Sequence, residues 1–123
     1  NPFSTKGRLN RAKYLLTIFV FLIVSVVVIY IGGFIIIKSQ GGLNRDEIPL
    51  VTELLAQIAI LFWLIIIAFP SIRRFHDMDK PGVRFLRMLI PIYNLILFEE
   101  LLTVKGTLGA NKYGDDPLAH KRA

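Results

Sequence analysis

The stretch "YLLTIFVFLIVSVVVIYIGGFIII", Tyr14 to Ile37, decides the fold of this 123-residue chain. It contains no charged residue, and about 20 apolar residues are enough for a helix to cross the hydrocarbon core of a bilayer. A basic segment, residues 1–13, precedes it. A signal peptide has a similar basic start, but its apolar region is shorter and ends in small residues for cleavage. The run therefore predicts a transmembrane helix over residues 14–37.

A second apolar run, "LLAQIAILFWLIIIAF", extends from Leu54 to Phe69. Counting back to Ile48 lengthens it to a full span at the cost of one carboxylate, Glu53. Pro70 marks a kink or an end of this helix. The second span is therefore predicted over residues 48–70, after an external connector over residues 38–47 and before a basic cytoplasmic loop over residues 71–84.

The third run, "MLIPIYNLILF", is too short for an ordinary span. As a helix it would be roughly 16 Å long, against a hydrocarbon core of about 30 Å. It crosses only if Arg84 and Arg87 extend to one surface and Glu99 and Glu100 to the other. Otherwise the turn formers in "PIYN" make it a re-entrant or interfacial hairpin. The third membrane segment is predicted over residues 85–104, followed by a polar tail over residues 105–123.

The charge distribution gives the orientation. The chain is 54% hydrophobic with a net charge of +6, and its cations lie at the ends of apolar runs, which suits the anionic inner face of a membrane. Three full spans would place nine Lys and Arg inside and six outside, whereas a re-entrant third segment places 13 inside and 2 outside. The positive-inside rule favours the second arrangement. Both arrangements place the N-terminus and residues 71–84 in the cytoplasm.

These segments predict one all-α integral membrane domain over residues 1–123. It has two transmembrane helices and a third short membrane segment that is either Pro-broken or re-entrant. Cysteine is absent, so disulfides, zinc thiolate sites and iron–sulfur clusters are excluded.

The basic loop contains "RRFHDMDKPGVR", Arg73 to Arg84, the most chemically varied part of the chain. His76 with Asp77 and Asp79 has the residue types of a metal site or of an acid–base pair. Metal sites need three or four converging ligands, however, and the other histidine, His120, is near the end of the chain. We therefore predict no catalytic, cofactor or metal site, and a structural role in which Asp77 pairs with Arg73 one helical turn away.

Four stretches together resemble the domain-of-unknown-function family 805 of small bacterial inner-membrane proteins. They are "GRLNRAKY" before the first helix, "RRFHDMDKPGV" after the second, "LIPIYNLIL" in the third segment and "GANKYGDDP" after it. The resemblance extends over nearly the whole chain and implies a location in the bacterial inner membrane. It implies no biochemical activity, because the family has no agreed one.

The chain departs from the family pattern at several positions while keeping its charged framework. Leu15 stands in place of tryptophan, Phe75 of leucine, Asp79 of glycine, Pro81 of serine and Val83 of an aromatic residue. The framework that the resemblance marks as a structural or interaction motif consists of Arg8, Arg11, Arg73, Arg74, His76, Asp77, Asn111, Lys112, Gly114, Asp116 and Pro117.

If all these motifs are cytoplasmic, the arginines at positions 8, 11, 73 and 74 would face the aspartates at positions 77, 115 and 116 in one network at the membrane surface. The function this favours is a non-enzymatic accessory or assembly subunit. It would contact anionic lipid headgroups and either form a homo-oligomer or bind a membrane-protein partner. We expect no cofactor and no nucleic acid, since the cations lack an aromatic stacking platform.

Two other functions stay open at this point. A small transporter or channel subunit is the alternative, because Pro91 and Asn94 lie in a broken segment flanked by Arg87, Glu99 and Glu100. A membrane enzyme, with His76 as general base and Asp77 as its orienting group, is the third. It lacks a neighbouring nucleophile.

Overall fold

The computed structural model describes residues 3–39 and 48–122, and its regular structure there is helical. These described residues contain four α-helices, α1 (Arg11–Ser39), α2 (Ile48–Asp77), α3 (Tyr93–Thr103) and α4 (Ala119–Arg122), with a 3₁₀ helix (Gly82–Leu89) between α2 and α3. The described part has no strand, only an isolated bridge between Asn111 and Gly114. The predicted all-α class is confirmed.

Among the described residues, helices α1 and α2 are candidate membrane spans. Each contains a stretch of 26 residues that is long and apolar enough to cross a bilayer: Arg11–Ile36 in α1 and Thr52–Asp77 in α2. Their apolar side chains are largely exposed, among them Val28, Ile29 and Phe62. Such exposure would be costly in water and is favourable in hydrocarbon, where the helix satisfies its own backbone hydrogen bonds. Most of the predicted connector, residues 40–47, lies outside the described residues.

Helix α2 does not end at Pro70 but continues through it to Asp77. The basic segment predicted as a loop over residues 71–84 therefore begins as two further helical turns. Pro70 removes one intrahelical hydrogen bond. However, Pro70, Ser71 and Arg74 are all fully buried, and this packing holds the helix past the proline.

The third apolar segment is a broken hairpin. The 3₁₀ helix ends at Leu89, the chain reverses at Ile90–Ile92, and α3 begins at Tyr93. Ile92 has φ +69° and ψ −48°, and the Tyr93 N–H donates to the Pro91 carbonyl over 2.8 Å, which together define a γ-turn of the rare positive-φ type. The predicted break at the proline is confirmed. As an 11-residue helix, α3 is about 16 Å long.

The described residues form two compact units. One extends to Ile18 and resumes at Ile66, so it contains the N-terminal segment, the hairpin and the tail; we call it the surface unit. Its core is formed by Leu9, Tyr14, Phe75, Met78, Phe85, Leu97 and Leu101. The other unit is Phe19–Ile65, and its described residues, 19–39 and 48–65, are apolar helix with largely exposed side chains. The polar motifs all belong to the surface unit.

Candidate functional site: a buried arginine–aspartate network

The last residue of α2, Asp77, is the centre of the polar network. Its side chain is 4% exposed, and two guanidinium groups neutralise it. Arg74 donates from Nη1 to Oδ2 over 2.5 Å, and Arg8 donates from Nε to Oδ1 over 3.1 Å. On α2 the residue that the structure pairs with Asp77 is Arg74, three residues before the aspartate, where the sequence predicted Arg73. Charge-assisted bonds of this kind are roughly twice as strong as neutral ones.

Arg74 also caps α3. Its Nε donates to the Leu101 carbonyl over 3.0 Å and its Nη2 to the Val104 carbonyl. Arg11 donates from Nη1 to the Thr103 carbonyl over 2.9 Å. The last carbonyls of a helix have no intrahelical partner and carry the negative end of its dipole. Two cations therefore hold the C-terminus of α3 against the ends of α1 and α2.

Arg8 binds the tail with the rest of its guanidinium. Nη1 donates to the Gly109 carbonyl over 2.5 Å and to the Gly114 carbonyl over 3.3 Å, and Nη2 donates to the Thr107 carbonyl over 2.6 Å. The Thr107 N–H in turn donates to the Asp77 carbonyl over 2.7 Å. The tail is therefore bonded both to the segment before α1 and to the end of α2.

This bonding explains how two buried arginines persist beside one carboxylate. Arg74 has no exposed side-chain surface and Arg8 has 1%. Burying a charge costs free energy unless its hydrogen-bonding groups are satisfied. Backbone carbonyls at five positions accept from the two guanidinium groups, so the excess positive charge is spread over peptide dipoles. The result is a structural network whose members depend on one another.

The His76 side chain contacts the segment before α1 and the tail. Its Nδ1 is 3.2 Å from the Gly7 carbonyl, and since a carbonyl only accepts, Nδ1 carries the hydrogen. The imidazole stacks on the Tyr113 ring with centroids 3.9 Å apart and planes 4° apart. The Asn111 amide donates to the His76 carbonyl over 2.9 Å. Asp77 is therefore bonded to the arginines and does not orient the histidine as a general base would require.

A second ion cluster fastens the hairpin to the loop before it. Glu100, on α3, accepts from Arg84 over 3.1 Å and also pairs with Lys80. Burial lowers the pKa of the Lys80 ammonium group from its ordinary value, and the neighbouring Arg84 charge acts in the same direction. Because Arg84 and Glu100 are paired, they lie together. The predicted alternative in which they extend to opposite membrane surfaces does not match this geometry.

The remaining motif residues lie in the tail, except Arg73 on α2. Asn111 pairs with Gly114 through two backbone bonds of 3.0 Å, and Asp116 accepts from the Gly109 and Leu118 N–H groups, so both stabilise the fold of the tail. Pro117 follows within the same turn. Lys112 and Asp115 are exposed. The Arg73 carbonyl accepts from the Leu9 N–H over 3.0 Å.

Several residues of the network were missed at the level of sequence. Gly106 is required because a Cβ there would overlap the Asp77 carboxylate. Tyr113 carries the histidine stack, and its position between Lys112 and Gly114 in a motif already noted was an available signal. The buried Tyr14 and Ser71 hydroxyls are 3.2 Å apart and link the ends of α1 and α2. A tyrosine opening an apolar run is also compatible with a membrane interface, so its partner was not deducible.

The chain is similar in sequence to inner membrane proteins of Escherichia coli. The chain is 28% identical over 88 residues to the inner membrane protein YhaI of Escherichia coli strain K12, covering 68% of this chain and 75% of that protein. It is 25% identical over 117 residues to the inner membrane protein YhaH of the same strain, covering 95% of this chain and 89% of that one. No solved structure matches the chain.

The profile of the family described as protein of unknown function (DUF805) matches residues 2–115, which include the arginine–aspartate network and the docked part of the tail. Together with its two apolar helices and its inner-membrane relatives, this match shows that the chain belongs to DUF805, a family of membrane proteins of unknown function.

Proposed function

We propose that this protein is a non-enzymatic accessory or assembly subunit of the bacterial inner membrane. It would present a basic cytoplasmic surface to anionic lipids and contact a membrane-protein partner or further copies of itself. The observation that carries this proposal is that the motif residues bond to other parts of the same chain. The aspartate and both buried arginines are bonded within the chain, and the Nδ1 and backbone carbonyl of His76 are also occupied.

The contacts of the tail support a multi-pass topology with both chain ends on one side. Arg8 precedes α1, Asp77 ends α2, and Thr107 is bonded to both. Three full spans would separate the tail from Arg8 by a bilayer. A hairpin that returns to its starting surface does not, and it gives the distribution of 13 inner and 2 outer cations that the positive-inside rule favours.

The tip of the hairpin supports its contact with hydrocarbon. Exposed apolar side chains are concentrated around the reversal, at Leu89, Ile90, Ile92, Leu95 and Ile96. Ile92 is 77% exposed. A monomeric soluble surface rarely carries such a patch, whereas contact with hydrocarbon is favourable for these side chains. The proposal is a re-entrant or interfacial hairpin with its ends at the cytoplasmic surface.

The exposed cations support a lipid-facing role for the surface unit. In the described part of this unit the cations with exposed side chains are Lys6, Arg11, Lys13, Arg87, Lys105, Lys112 and Lys121. Each cation near an anionic membrane surface contributes about 1 kcal/mol of attraction. The set is therefore large enough to hold the unit against anionic lipids.

Helix residues of the unit Phe19–Ile65 support the existence of a partner. Glu53 and Gln57 are exposed on α2, 3.5 Å apart, within an apolar helix. On α1, a Cβ added at Gly32 or Gly33 would meet nothing within 4 Å. Polar groups and small residues on transmembrane helices are used in helix–helix contacts, so another helix would lower the cost of exposing them to lipid.

Gentle extraction of the tagged protein from its native membrane, followed by mass spectrometry of the intact complexes, tests the proposal. We expect a partner at fixed stoichiometry. A Glu53→Leu variant should release it more readily than a Leu54→Ala variant, which removes apolar surface at the neighbouring position. Recovery of the chain without any partner would contradict the accessory role, and ion flux in proteoliposomes would then be the next measurement.

A further inference from the structure

The surface unit contains a cleft of about 560 Å³ between the start of α1 and the segment that follows α3. Arg11 and Lys105 line it, together with Gly106, Leu108 and the two aspartates at positions 77 and 116. The cleft is distinct from the arginine–aspartate network, although Asp77 belongs to both. Its chemistry therefore depends on which of the lining groups still have unused hydrogen-bonding capacity.

Both carboxylates in the cleft already have donors. Asp77 accepts from Arg8 and Arg74, and the two oxygens of Asp116 accept from the Leu118 and Gly109 N–H groups. The charge of Asp77 is more than neutralised by its two guanidinium partners. The lining therefore does not have the unoccupied carboxylates that a cation site needs.

The lining cations, in contrast, retain donors. Lys105 is exposed, and within residues 3–39 and 48–122 its ammonium group has no bonded acceptor. Arg11 uses Nη1 on the Thr103 carbonyl, which leaves Nε and Nη2. In the same described ranges the N–H groups of Gly106 and Leu108 bond to no protein acceptor. Two cations and two neighbouring backbone donors form a set that suits an oxyanion.

The position of the cleft indicates the source of that oxyanion. Arg11 is the first residue of α1 and of its candidate membrane span, so the cleft lies at the end of this helix that would enter the bilayer. Phosphates of lipid headgroups lie at this level. Leu108, which is 77% exposed, adds an apolar contact beside the donors. Inorganic phosphate has no apolar group that could contact Leu108, whereas a phospholipid has.

We infer that this cleft binds the phosphate of an anionic phospholipid, with Lys105 and Arg11 as the charged donors. The inference deepens the proposed lipid contact by naming its site and its ligand. A zwitterionic headgroup is disfavoured because its own cation would approach Arg11 and Lys105. The site needs no second protein, so it can be measured on the purified chain whatever its partner is.

The experiment is a titration of the purified protein, in a neutral detergent, with short-chain phosphatidylglycerol, short-chain phosphatidylcholine and inorganic phosphate in separate arms. Lys105→Gln is the test variant because the Lys105 side chain supports no described contact. Lys13→Gln is its matched control, an exposed lysine in the first turns of α1. Native mass spectrometry of each variant counts the lipids bound.

We expect phosphatidylglycerol to bind most tightly, and Lys105→Gln to weaken it about tenfold, as loss of one charge-assisted bond would. Lys13→Gln should leave binding within about twofold, since it removes the same charge from outside the cleft. Equal losses in the two variants would overturn the site in favour of diffuse attraction. Inorganic phosphate binding as tightly as phosphatidylglycerol, or no preference between the two lipids, would overturn the lipid assignment. These outcomes leave partner recovery untouched, so the accessory role is judged separately.

Discussion

Arg8 and Asp77 are 69 residues apart in sequence, and their side chains form an ion pair of 3.1 Å with almost no exposed surface. One lies before the first apolar helix and the other ends the second. The pair fixes these two helix ends to each other in the surface unit. Through the remaining donors of Arg8 it also fixes the tail. A buried ion pair of this kind adds little net stability, but removing one partner leaves the other charge uncompensated.

Asp77→Asn should therefore destabilise the protein strongly. It leaves Arg8 and Arg74 buried without a counter-charge, for which a loss of about 3–5 kcal/mol is expected. The measurement is the free energy of unfolding by denaturant titration in detergent. Asp79→Asn is the control, because Asp79 is exposed with φ +58° and asparagine tolerates that conformation equally well. Equal stability of the two variants would contradict a central role for Asp77.

Arg74→Lys should also be destabilising even though it keeps the charge. Arg74 bonds to Asp77, Leu101 and Val104 with three different nitrogens, and a single ammonium group cannot reproduce that fork. We expect a loss of about 2–3 kcal/mol, with the C-terminus of α3 exchanging its amide hydrogens faster. Arg87→Lys, at an exposed position, should be neutral. Unchanged exchange in α3 for Arg74→Lys would show that the cap is dispensable.

The sequence predicted the two long helices well because lipid imposes a simple requirement on them. Any chain such as Tyr14 to Ile37 must form helix in hydrocarbon to satisfy its backbone. The break at Pro91 was predictable from its turn-forming residues. The residue that pairs with Asp77 was not predictable, since Arg73 and Arg74 differ by about 100° around the helix axis. Which of the two meets Asp77 depends on where α3 and the tail pack.

The end of α2 and the order of the tail were unpredictable for a related reason. Pro70 and the polar residues after it are typical of a helix terminus, but burial of Ser71 and Arg74 keeps the helix intact to Asp77. The turn formers of "GANKYGDDP" indicated a loop, and that loop docks on partners distant in sequence: His76 is 35 residues from Asn111, and Arg8 is 101 residues from Gly109.

Gly106→Ala should disrupt the network from the tail side. The added Cβ would overlap the Asp77 carboxylate, which two arginines hold in place, so the segment after α3 must shift. Overpacking of this kind costs about 1–3 kcal/mol. Gly32→Ala is the matched control, because its Cβ would meet nothing within 4 Å and alanine is the better helix former. The unfolding midpoints should fall for the first variant and hold or rise for the second.

Glu100→Gln should loosen the hairpin while leaving the arginine–aspartate network intact. It removes the charge that Lys80 and Arg84 share, and both pairs are partly buried, so a loss of about 1–2 kcal/mol is expected. Its neighbour Glu99 is exposed, and within residues 3–39 and 48–122 its carboxylate accepts only from Thr103 in its own helix, so Glu99→Gln should cost about 0.5 kcal/mol or less. If proteolysis between residues 82 and 92 is no faster in Glu100→Gln than in Glu99→Gln, the ion cluster does not hold the hairpin.

Single cysteines should report both chain ends on the same side of the membrane. Arg8 and Thr107 are bonded, so a cysteine at Lys6 and one at Lys121 should both resist a membrane-impermeant thiol reagent in intact cells and react after permeabilisation. A cysteine at Ser39, the last residue of α1, should react in intact cells. The chain has no native cysteine, so each label reports one position. Labelling of Lys121→Cys from the periplasm would require the third segment to cross the membrane, and the bonds between Arg8 and the tail could not then form in the native bilayer.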